Sequence, residues 1–469
     1  MDAGEAVIFE AIERQKGTQA VIDRGDSAVQ QFYSGSTVFV TGGSGFVGKQ
    51  LIEKLFRSCK LRRVYVLMRA KKGKSVEERV AELLKDTLYD TLRKDQPDFA
   101  DRIVPIIGEL AERDLALSER DKEIIIKEVD VIFHVAATIS FVEPLRSATL
   151  TNVRGTRDLI ALAKRCKKIS LIMDWPNTYS FTKALAEELV RSSADDLPIC
   201  VIRPSIVVSA RREPYAGWVD LSSVFGPSGI ILGSMMGVIH VLQSDQDIRI
   251  DFIPVDYVTN TAILAAATAE KGVKIYSVGS SCRNHITWGG LTYILNNVAR
   301  RTVVSPKAIW YCFVVQSPNR WVHLVFSFLL HTVPANLVDG LCIMLRKPRR
   351  LKKIYATITK MAATLAFYTN NSWIFNDNNT LAMYNSLSES DKIIYHCDVS
   401  DVEWTEQIAL WYVGLRKYIV KDGLNTTALG MKKQLYCRIA TYVISGLYIC
   451  VVLLFLCYLF VFAKFVFGF

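Results

Sequence analysis

The chain lacks the features that mark several common protein classes. Its first thirty residues carry acidic side chains and no continuous apolar core, so they do not form a secretory signal. The 10 cysteines are scattered, without a CxxC pair or the framework of a small secreted domain, which predicts reduced, cytosol-facing thiols and no metal site. No zinc-finger or RNA-recognition pattern accompanies the basic runs, so we expect no nucleic-acid partner.

Acidic residues are fewer than basic ones. The chain has 57 Lys+Arg against 46 Asp+Glu, a formal net charge of +11. An excess of positive charge favours anionic partners, such as anionic lipid or a polyphosphate ligand like a nucleotide or coenzyme A.

A long segment near the end of the chain contains no charged residue. The segment Ile439–Ala463 contains no Asp, Glu, Lys or Arg and is bracketed by Arg438 and Lys464. As a helix it would be about 37 Å long, enough to cross the hydrocarbon core of a bilayer. Lys432, Lys433 and Arg438 outweigh Lys464, so the positive-inside rule predicts a single span near the C-terminus, with the catalytic part in the cytosol.

Short apolar runs alternate with longer helical stretches from Ser36 to Lys274, the pattern of a doubly wound parallel α/β sheet. The predicted strands are Thr37–Val40, Val64–Met68, Ile103–Ile107, Val129–Val135, Ile169–Met173 and Ile199–Arg203. We predict an N-terminal tail at 1–34, a Rossmann and substrate domain at 35–290, a smaller helical C-terminal domain at 291–430 and the transmembrane helix at 439–463.

One apolar stretch before the span has two interpretations. Trp321–Leu345 is strongly apolar but contains Pro334 and Asp339, and the basic run Arg346–Lys353 follows it at once. The stretch could lie in a bilayer interface with its cationic flank on anionic headgroups, or it could form a buried hairpin.

A glycine-rich loop follows the first predicted strand directly and leads into a helical pattern. In Thr41-Gly42-Gly43-Ser44-Gly45-Phe46-Val47-Gly48, Gly42 permits a tight turn, Gly45 lets backbone amides approach a pyrophosphate, and Gly48 allows close helix packing. The start of the helix offers partial positive charge to phosphate. The loop therefore predicts a dinucleotide site.

The second predicted strand ends without the acid that would hold the ribose of NAD. Arg69 and Lys71 stand there instead, in the run RAKKGK, and a cation favours the 2′-phosphate of NADPH. A solvated basic loop is the alternative interpretation. Glu109, just past the third strand, is a candidate for contact with the adenine end or a plain surface carboxylate.

Tyr179 and Lys183 lie four residues apart, after a Pro-Asn pair that suits a helix start, so both side chains share one helix face. An ammonium beside a phenol lowers the phenol pKa. Tyr179 could then act as a general acid that protonates an oxygen while hydride reaches the adjoining carbon.

Taken together, these residues resemble the extended short-chain dehydrogenase/reductases, and most fully the alcohol-forming fatty acyl-CoA reductases. The resemblance runs through TGGSGFVGKQLIEKLFRSC, VLMRAKKGKS, VIFHVAATISFVEPL, NVRGT, DWPNTYSFTKALAE, VIRPSIV, GWVD, GPSG, IPVDYVTN, SWIFNDNNT and GLRKYIVKD, and it includes the terminal apolar segment.

The resemblance implies two NADPH-dependent hydride transfers to a long-chain acyl-CoA, which release coenzyme A and yield a primary alcohol. It also implies a peroxisomal or endoplasmic reticulum membrane. In this interpretation Ala136 and Ala137 close over the ribose, Arg69 meets the 2′-phosphate, and Tyr179 and Lys183 carry the proton chemistry. The cofactor is lined by Thr41, Gly42, Gly45, Phe46, Val47 and Gly48.

The chain departs from the family at the fifth strand. Family members place a Ser or Thr at the end of that strand, followed by a loop of some tens of residues, whereas here Met173 runs directly into Asp174. Ser170 lies three residues too early, about 10 Å along a strand. A catalytically impaired, membrane-tethered NADPH-binding homologue is therefore the alternative function. A third is another extended reductase acting on a sterol or a sugar nucleotide.

Overall fold

The computed structural model describes residues 2–71, 73–137, 144–166, 170–174, 180–193, 197–224 and 226–468. The strands are β1 (Thr37–Thr41), β2 (Arg63–Met68), β3 (Ile103–Ile107), β4 (Val131–His134), β5 (Ser170–Asp174), β6 (Pro198–Pro204), β7 (Ile206–Val208), β8 (Val241–Gln243), β9 (Arg249–Ile250), β10 (Phe252–Pro254), β11 (Gly272–Val278), β12 (Ile286–Thr287) and β13 (Val315–Ser317).

Seven strands form one parallel sheet in the order β11-β6-β5-β4-β1-β2-β3. The predicted Rossmann sheet is confirmed, and each predicted strand overlaps one of β1 to β6. The edge strand β11 was not predicted. Successive side chains of a strand point to opposite faces, and in β1 both faces are buried: Val38 and Val40 enter one apolar core and Phe39 the other.

Helices cover both faces of this sheet. Before it come α1 (Ala3–Glu13), α2 (Thr18–Arg24) and α3 (Ala28–Tyr33). Around it are α4 (Phe46–Ser58), α5 (Val76–Leu84), α6 (Asp90–Asp95), α7 (Glu119–Glu128), α8 (Leu145–Thr149), α9 (Gly155–Ala163), α10 (Ser180–Ser193), α11 (Pro227–Met235) and α12 (Val255–Ala267). The segment 1–34, predicted as a tail, thus carries three helices. Arg14 on the end of α1 forms an ion pair with Glu406 far along the chain.

A helical region follows the sheet, as predicted. It contains α13 (Trp288–Ile294), α14 (Arg300–Thr302), α15 (Arg320–Ser327), α16 (Val333–Met344), α17 (Leu351–Thr369), α18 (Asn378–Asn385), α19 (Glu389–Ile394), α20 (Trp404–Gly414) and α21 (Thr427–Phe467). Helix α18 lies on the edge strand β11. The side chains of Asn379 and Thr380 donate to the backbone oxygens of Ile275 and Ser277, at 2.8 and 2.6 Å. These bonds cover a sheet edge that would otherwise expose unpaired carbonyls.

A buried ionic cluster joins α4 to the segment that follows β7. Glu213 pairs with Lys54 at 2.5 Å and with Arg57 at 2.9 Å. Asn260 also donates to the Glu213 carboxylate, at 3.1 Å. Burial alone would raise the pKa of Glu213, but Lys54 and Arg57 outweigh it and hold that pKa at about 2.

Among the residues that the structure describes, two helices are long and apolar enough to cross a membrane by length and composition. One is Leu424–Phe462, which includes most of α21, and the other is Arg320–Met344, which runs through α15, a π-helical turn at Phe328–Thr332 and α16. Trp321, Leu337 and Met344 in the second helix are 76%, 69% and 81% exposed. Of the two interpretations of Trp321–Leu345, the buried hairpin is therefore wrong for most of its side chains.

Candidate functional site

The glycine loop lies where the strand order reverses, between β1 and its two neighbours β2 and β4. Gly42 follows β1 with φ +77°. A Cβ at Gly42 would lie 2.7 Å from the backbone nitrogen of Ala136, which follows β4, so the two loops approach each other closely. The structure thus brings together two groups of residues predicted to bind the cofactor, the glycine loop and the segment that begins at Ala136. The crevice between them lies at the carboxyl ends of the strands, and such crevices bind dinucleotides.

Helix α4 begins at Phe46, and its N-cap is Gly45, which offers no side chain to cap the helix. The first backbone N–H groups, including those of Phe46 and Val47, therefore remain available for an anion. Gly48 lies in the first turn, and a Cβ there would lie 2.3 Å from the Gly42 oxygen. The cradle that a Cβ would fill fits the pyrophosphate of a dinucleotide.

A buried histidine forms hydrogen bonds at the base of the crevice. The sequence analysis did not identify it. The Thr41 hydroxyl and His134 Nδ1 are 2.7 Å apart, and His134 Nε2 is 3.1 Å from the Thr156 hydroxyl. Thr156 donates its proton to the Asn152 carbonyl, so we assign the imidazole proton to Nε2, with Nδ1 accepting from Thr41. His134 ends β4 and Thr156 lies in the NVRGT motif, which is the signal that could have linked them.

The predicted cationic end of the site contains an ion pair. The Arg69 guanidinium pairs with the Glu109 carboxylate, so the two predicted residues contact each other. Lys71 is exposed, and its backbone forms an isolated bridge with Lys74.

A second arginine, missed from the sequence, reaches the glycine loop. Arg79 donates to the Ser44 hydroxyl at 3.0 Å and to the Arg69 carbonyl at 2.5 Å, so it joins the loop to the end of β2. The capping box of Ser75 and Glu78 starts α5 and sets the position of Arg79 in its first turns. That box is readable in the sequence.

The first turn of α4 also contacts the GWVD segment. The rings of Phe46 and Trp218 stack with centroids 5.1 Å apart. Lys49 bonds both Asp86 and Asp220 at 2.6 Å. Burial disfavours the charged amine, but Asp220 and Asp86 outweigh that effect and raise the pKa of Lys49. The GWVD motif, which contains Trp218 and Asp220, thus packs against the start of α4.

The backbone register of β5 fixes the position of its hydroxyl residue. Ser170 is opposite Val131 at the beginning of β4, whereas Met173 is opposite His134 at its end. Met173 and Asp174 therefore occupy the carboxyl end of β5, beside the crevice. Tyr179 lies outside the described residues. Lys183 is on α10, and its side chain lies outside the described part of the chain.

Comparisons with known proteins match nearly the whole chain. Two family models, both described as male sterility protein, match at residues 40–173 and 169–262, and at 330–422. Fatty acyl-CoA reductase 1 of Mus musculus is 32% identical, and the alignment covers 85% of this chain and 87% of that protein. For fatty acyl-CoA reductase wat of Drosophila melanogaster the values are 31%, 87% and 89%.

The alignment with the mouse protein extends over 452 positions, although 85% of this 469-residue chain is only about 400 residues. About 50 aligned positions therefore hold no residue of this chain.

Solved structures share the fold at lower identity. The reductase domain of a nonribosomal peptide synthetase from Mycobacterium tuberculosis superposes with a TM-score of 0.57 at 17% identity, covering 85% of this chain and 98% of that one. The terminal R domain from the myxalamid PKS-NRPS biosynthetic pathway gives 0.56 at 19%, covering 82% and 91%. The fold is thus shared with these reductase domains over most of this chain.

Proposed function

This chain belongs to the fatty acyl-CoA reductase family, and we propose that it uses NADPH to reduce a long-chain fatty acyl-CoA to the primary alcohol, with release of coenzyme A. The observation that carries the proposal is the crevice between Gly42 and Ala136, beside the uncapped start of α4. A dinucleotide bound there would supply one hydride to release coenzyme A and form the aldehyde, and a second dinucleotide would reduce the aldehyde to the alcohol. The residues of the chain bind, orient and protonate.

NADPH is preferred over NADH because of charge at the end of β2. Glu109 already neutralises Arg69. The bonds that Arg79 makes are to uncharged oxygens, on Ser44 and on the Arg69 backbone, and Arg79 forms no ion pair with the described residues. Its charge therefore remains available for a 2′-phosphate, and a guanidinium pairs well with phosphate.

Tyr179 and Lys183 are the proposed proton donor and its activator. Helix α10 begins at Ser180, so Lys183 falls in its first turn, four residues after Tyr179. A lysine ammonium at that spacing favours the phenolate and prepares Tyr179 to transfer a proton to the carbonyl oxygen.

A second candidate function is a membrane-tethered, NADPH-binding homologue with impaired catalysis. The register of β5 supports it, because Ser170 lies at the far end of the strand from the crevice. The break of the family match at residues 169–173 supports it as well, as do the alignment positions that this chain leaves empty. Loss of one oxygen-binding donor lowers turnover by about a hundredfold to a thousandfold.

We further propose that α21 spans a membrane and leaves the catalytic part in the cytosol, on a peroxisomal or endoplasmic reticulum membrane. The support is the uncharged segment Ile439–Ala463 and the cluster Lys432, Lys433 and Arg438 on its catalytic side. A long-chain substrate suits that location, because its tail partitions into lipid.

The test is reduction of a long-chain acyl-CoA by the detergent-purified full-length protein, with NADPH and NADH in parallel and the alcohol measured directly. Tyr179→Phe is the control, because it removes one hydroxyl and keeps the ring. We expect alcohol with NADPH, little with NADH, and none in the variant.

The two candidate functions give different results in this assay. NADPH binding at micromolar concentration without aldehyde or alcohol supports the impaired homologue. Alcohol that persists in Tyr179→Phe contradicts the proton role given to Tyr179.

A further inference from the structure

We infer that the 320–344 helix and the basic run Arg346–Lys353 form a second membrane-binding surface, which rests on anionic lipid beside the α21 span. The inference rests on the proposed span, and it adds a peripheral contact to it.

Most of the outward side chains of the 320–344 helix are apolar. Trp321, Phe328, Leu341 and Met344 are 76%, 55%, 54% and 81% exposed. Contiguous exposed apolar surface of this kind is rare in soluble domains and marks contact with protein or membrane.

Two polar residues of the same helix, His331 and Asp339, face the protein. His331 is 9% exposed, and its Nε2 accepts from the backbone N–H of His240 at 3.0 Å. Asp339 is 3% exposed, and its carboxylate accepts from the backbone N–H groups of Arg350, Leu351 and Lys352 at the start of α17. The helix is thus fastened to the folded domain at its middle and far end. It fits a position along the membrane surface rather than a second span.

Positive charge is concentrated at the end of this helix. Between Arg320 and Asp377 the only acid is Asp339, whereas six cations lie in the basic run. The side chains of Lys347, Arg349, Lys352 and Lys353 are exposed, and none forms an ion pair with the described residues. Unpaired cations beside an apolar face match an anionic lipid surface, where each shifts the bound population by about fivefold.

The first turns of α21 are fixed to the domain without a flexible linker. Arg416 is fully buried and donates to the Thr427 hydroxyl at 2.7 Å and to the Val303 carbonyl at 3.0 Å. Further along, Gln434 accepts from the Cys312 backbone N–H at 2.9 Å and donates to the Trp310 carbonyl at 3.0 Å. The direction of the proposed span relative to the domain is therefore set by these contacts.

The same part of the domain holds the 320–344 helix. Ile309, beside Trp310, donates its backbone N–H to the Met236 carbonyl at 2.8 Å. Val238 accepts from the Tyr355 hydroxyl of α17 at 2.9 Å, and His240 donates to His331. Residues 236 to 240 extend over at most about 15 Å, so the root of α21 and the 320–344 helix are neighbours.

The proposal is tested in the full-length protein reconstituted into phosphatidylcholine vesicles, with or without about one third phosphatidylserine. An environment-sensitive fluorescent amino acid replaces Leu337, Leu454 or Ile107 in turn, and spin-labelled lipids quench residues that contact acyl chains. Leu337 is on the 320–344 helix, Leu454 is in the proposed span, and Ile107 is an exposed apolar residue on β3. Their side chains are 69%, 70% and 59% exposed, respectively.

We expect quenching at 337 and 454 but not at 107, with quenching at 337 at least doubled by phosphatidylserine. The triple variant Arg349→Glu, Lys352→Glu, Lys353→Glu should abolish that increase. Reversal of three exposed cations elsewhere, Arg113→Glu, Arg120→Glu, Lys127→Glu, should leave it unchanged.

The failure of this inference is distinguishable from failure of the span. Quenching at 454 without quenching at 337 overturns the second surface and keeps the span, the result expected if another protein or a second copy covers the helix. If quenching at 337 is the same with and without phosphatidylserine, and the same in the triple variant, the role of anionic lipid is overturned. Quenching at neither position overturns both.

Discussion

Replacing Gly48 by alanine tests whether the glycine loop is the pyrophosphate site. The added Cβ would lie 2.3 Å from the Gly42 oxygen, 2.7 Å from the Gly43 Cα and 2.9 Å from the Gly42 carbonyl carbon. All three are backbone atoms, so no side chain can rotate away. Because ordinary contacts to a Cβ begin at 3.4 Å, the loop and α4 must separate by about 1 Å.

Two opposing effects set the magnitude. Alanine favours the helix over glycine by about 1 kcal/mol. Overpacking costs about 1–3 kcal/mol, and overlap with rigid backbone belongs at the upper end. The net loss is therefore about 2 kcal/mol of stability. A displacement of about 1 Å breaks the hydrogen bonds between the loop amides and the phosphates, and the loss of two such bonds at about 1.5 kcal/mol each weakens binding by about a hundredfold.

The assay compares the dinucleotide Kd and the thermal unfolding temperature of the wild type, Gly48→Ala and the matched variant Gly340→Ala. Gly340 is also inside a helix, but an added Cβ there meets no atom within 4 Å. Gly340→Ala should keep the Kd and show only the helix preference. A Kd in Gly48→Ala within twofold of the wild type would refute the pyrophosphate site, even if stability falls.

Three further predictions address charge and catalysis. Arg79→Met should weaken NADPH binding by about tenfold or more and leave NADH unchanged, because only NADPH carries the 2′-phosphate; equal losses by titration calorimetry would contradict this. Glu213→Gln should lower stability by about 3 kcal/mol at pH 7, because its pKa is about 2 against an ordinary 4.5. A carboxyl group whose pKa is lowered by folding stabilises the protein at pH values above its unfolded pKa. The thermal unfolding temperatures of wild type and variant should therefore converge as the pH falls from about 5 towards 2, and a constant difference would be inconsistent with the ion pair. Met173→Ser puts a serine at the carboxyl end of β5 and should raise alcohol formation by about tenfold or more, whereas Ser170→Ala should change nothing; no gain in Met173→Ser would contradict the role given to a hydroxyl at that position.

The sheet was predictable because its central strands are apolar on both faces. The prediction missed β11, whose sequence Gly272–Val278 mixes Lys274 and Ser277 with apolar residues and is only partly buried. An edge strand needs less apolar surface, so its pattern is weaker. The three N-terminal helices were also missed. Each has 11 or fewer residues and is held by distant partners, such as the bond between Ser27 and Asp391.

In the candidate site, too, some residues could be predicted from the local sequence and others could not. The glycine loop is contiguous in sequence, so its spacing alone predicted the cradle. His134 and Arg79 act through partners that only the fold brings together, at 93 and 35 residues' separation from Thr41 and Ser44. Arg69 was assigned to the 2′-phosphate and Glu109 to the adenine end of the cofactor, and in the structure the two side chains form an ion pair at the ends of adjacent parallel strands.

The pairing of β5 shows how a chain of this family can keep its fold even if it loses catalytic activity. Strand β5 is paired on both sides, with β4 through Met173 and with β6 through Asp174, so the sheet is complete before the point where the family has its extra loop. A loop that follows the last paired residue contributes no ladder hydrogen bonds, and its absence leaves the crevice between Gly42 and Ala136 in place. We therefore expect cofactor binding to survive where turnover is lost, because the crevice is formed by the glycine loop and the end of β4 and not by the end of β5.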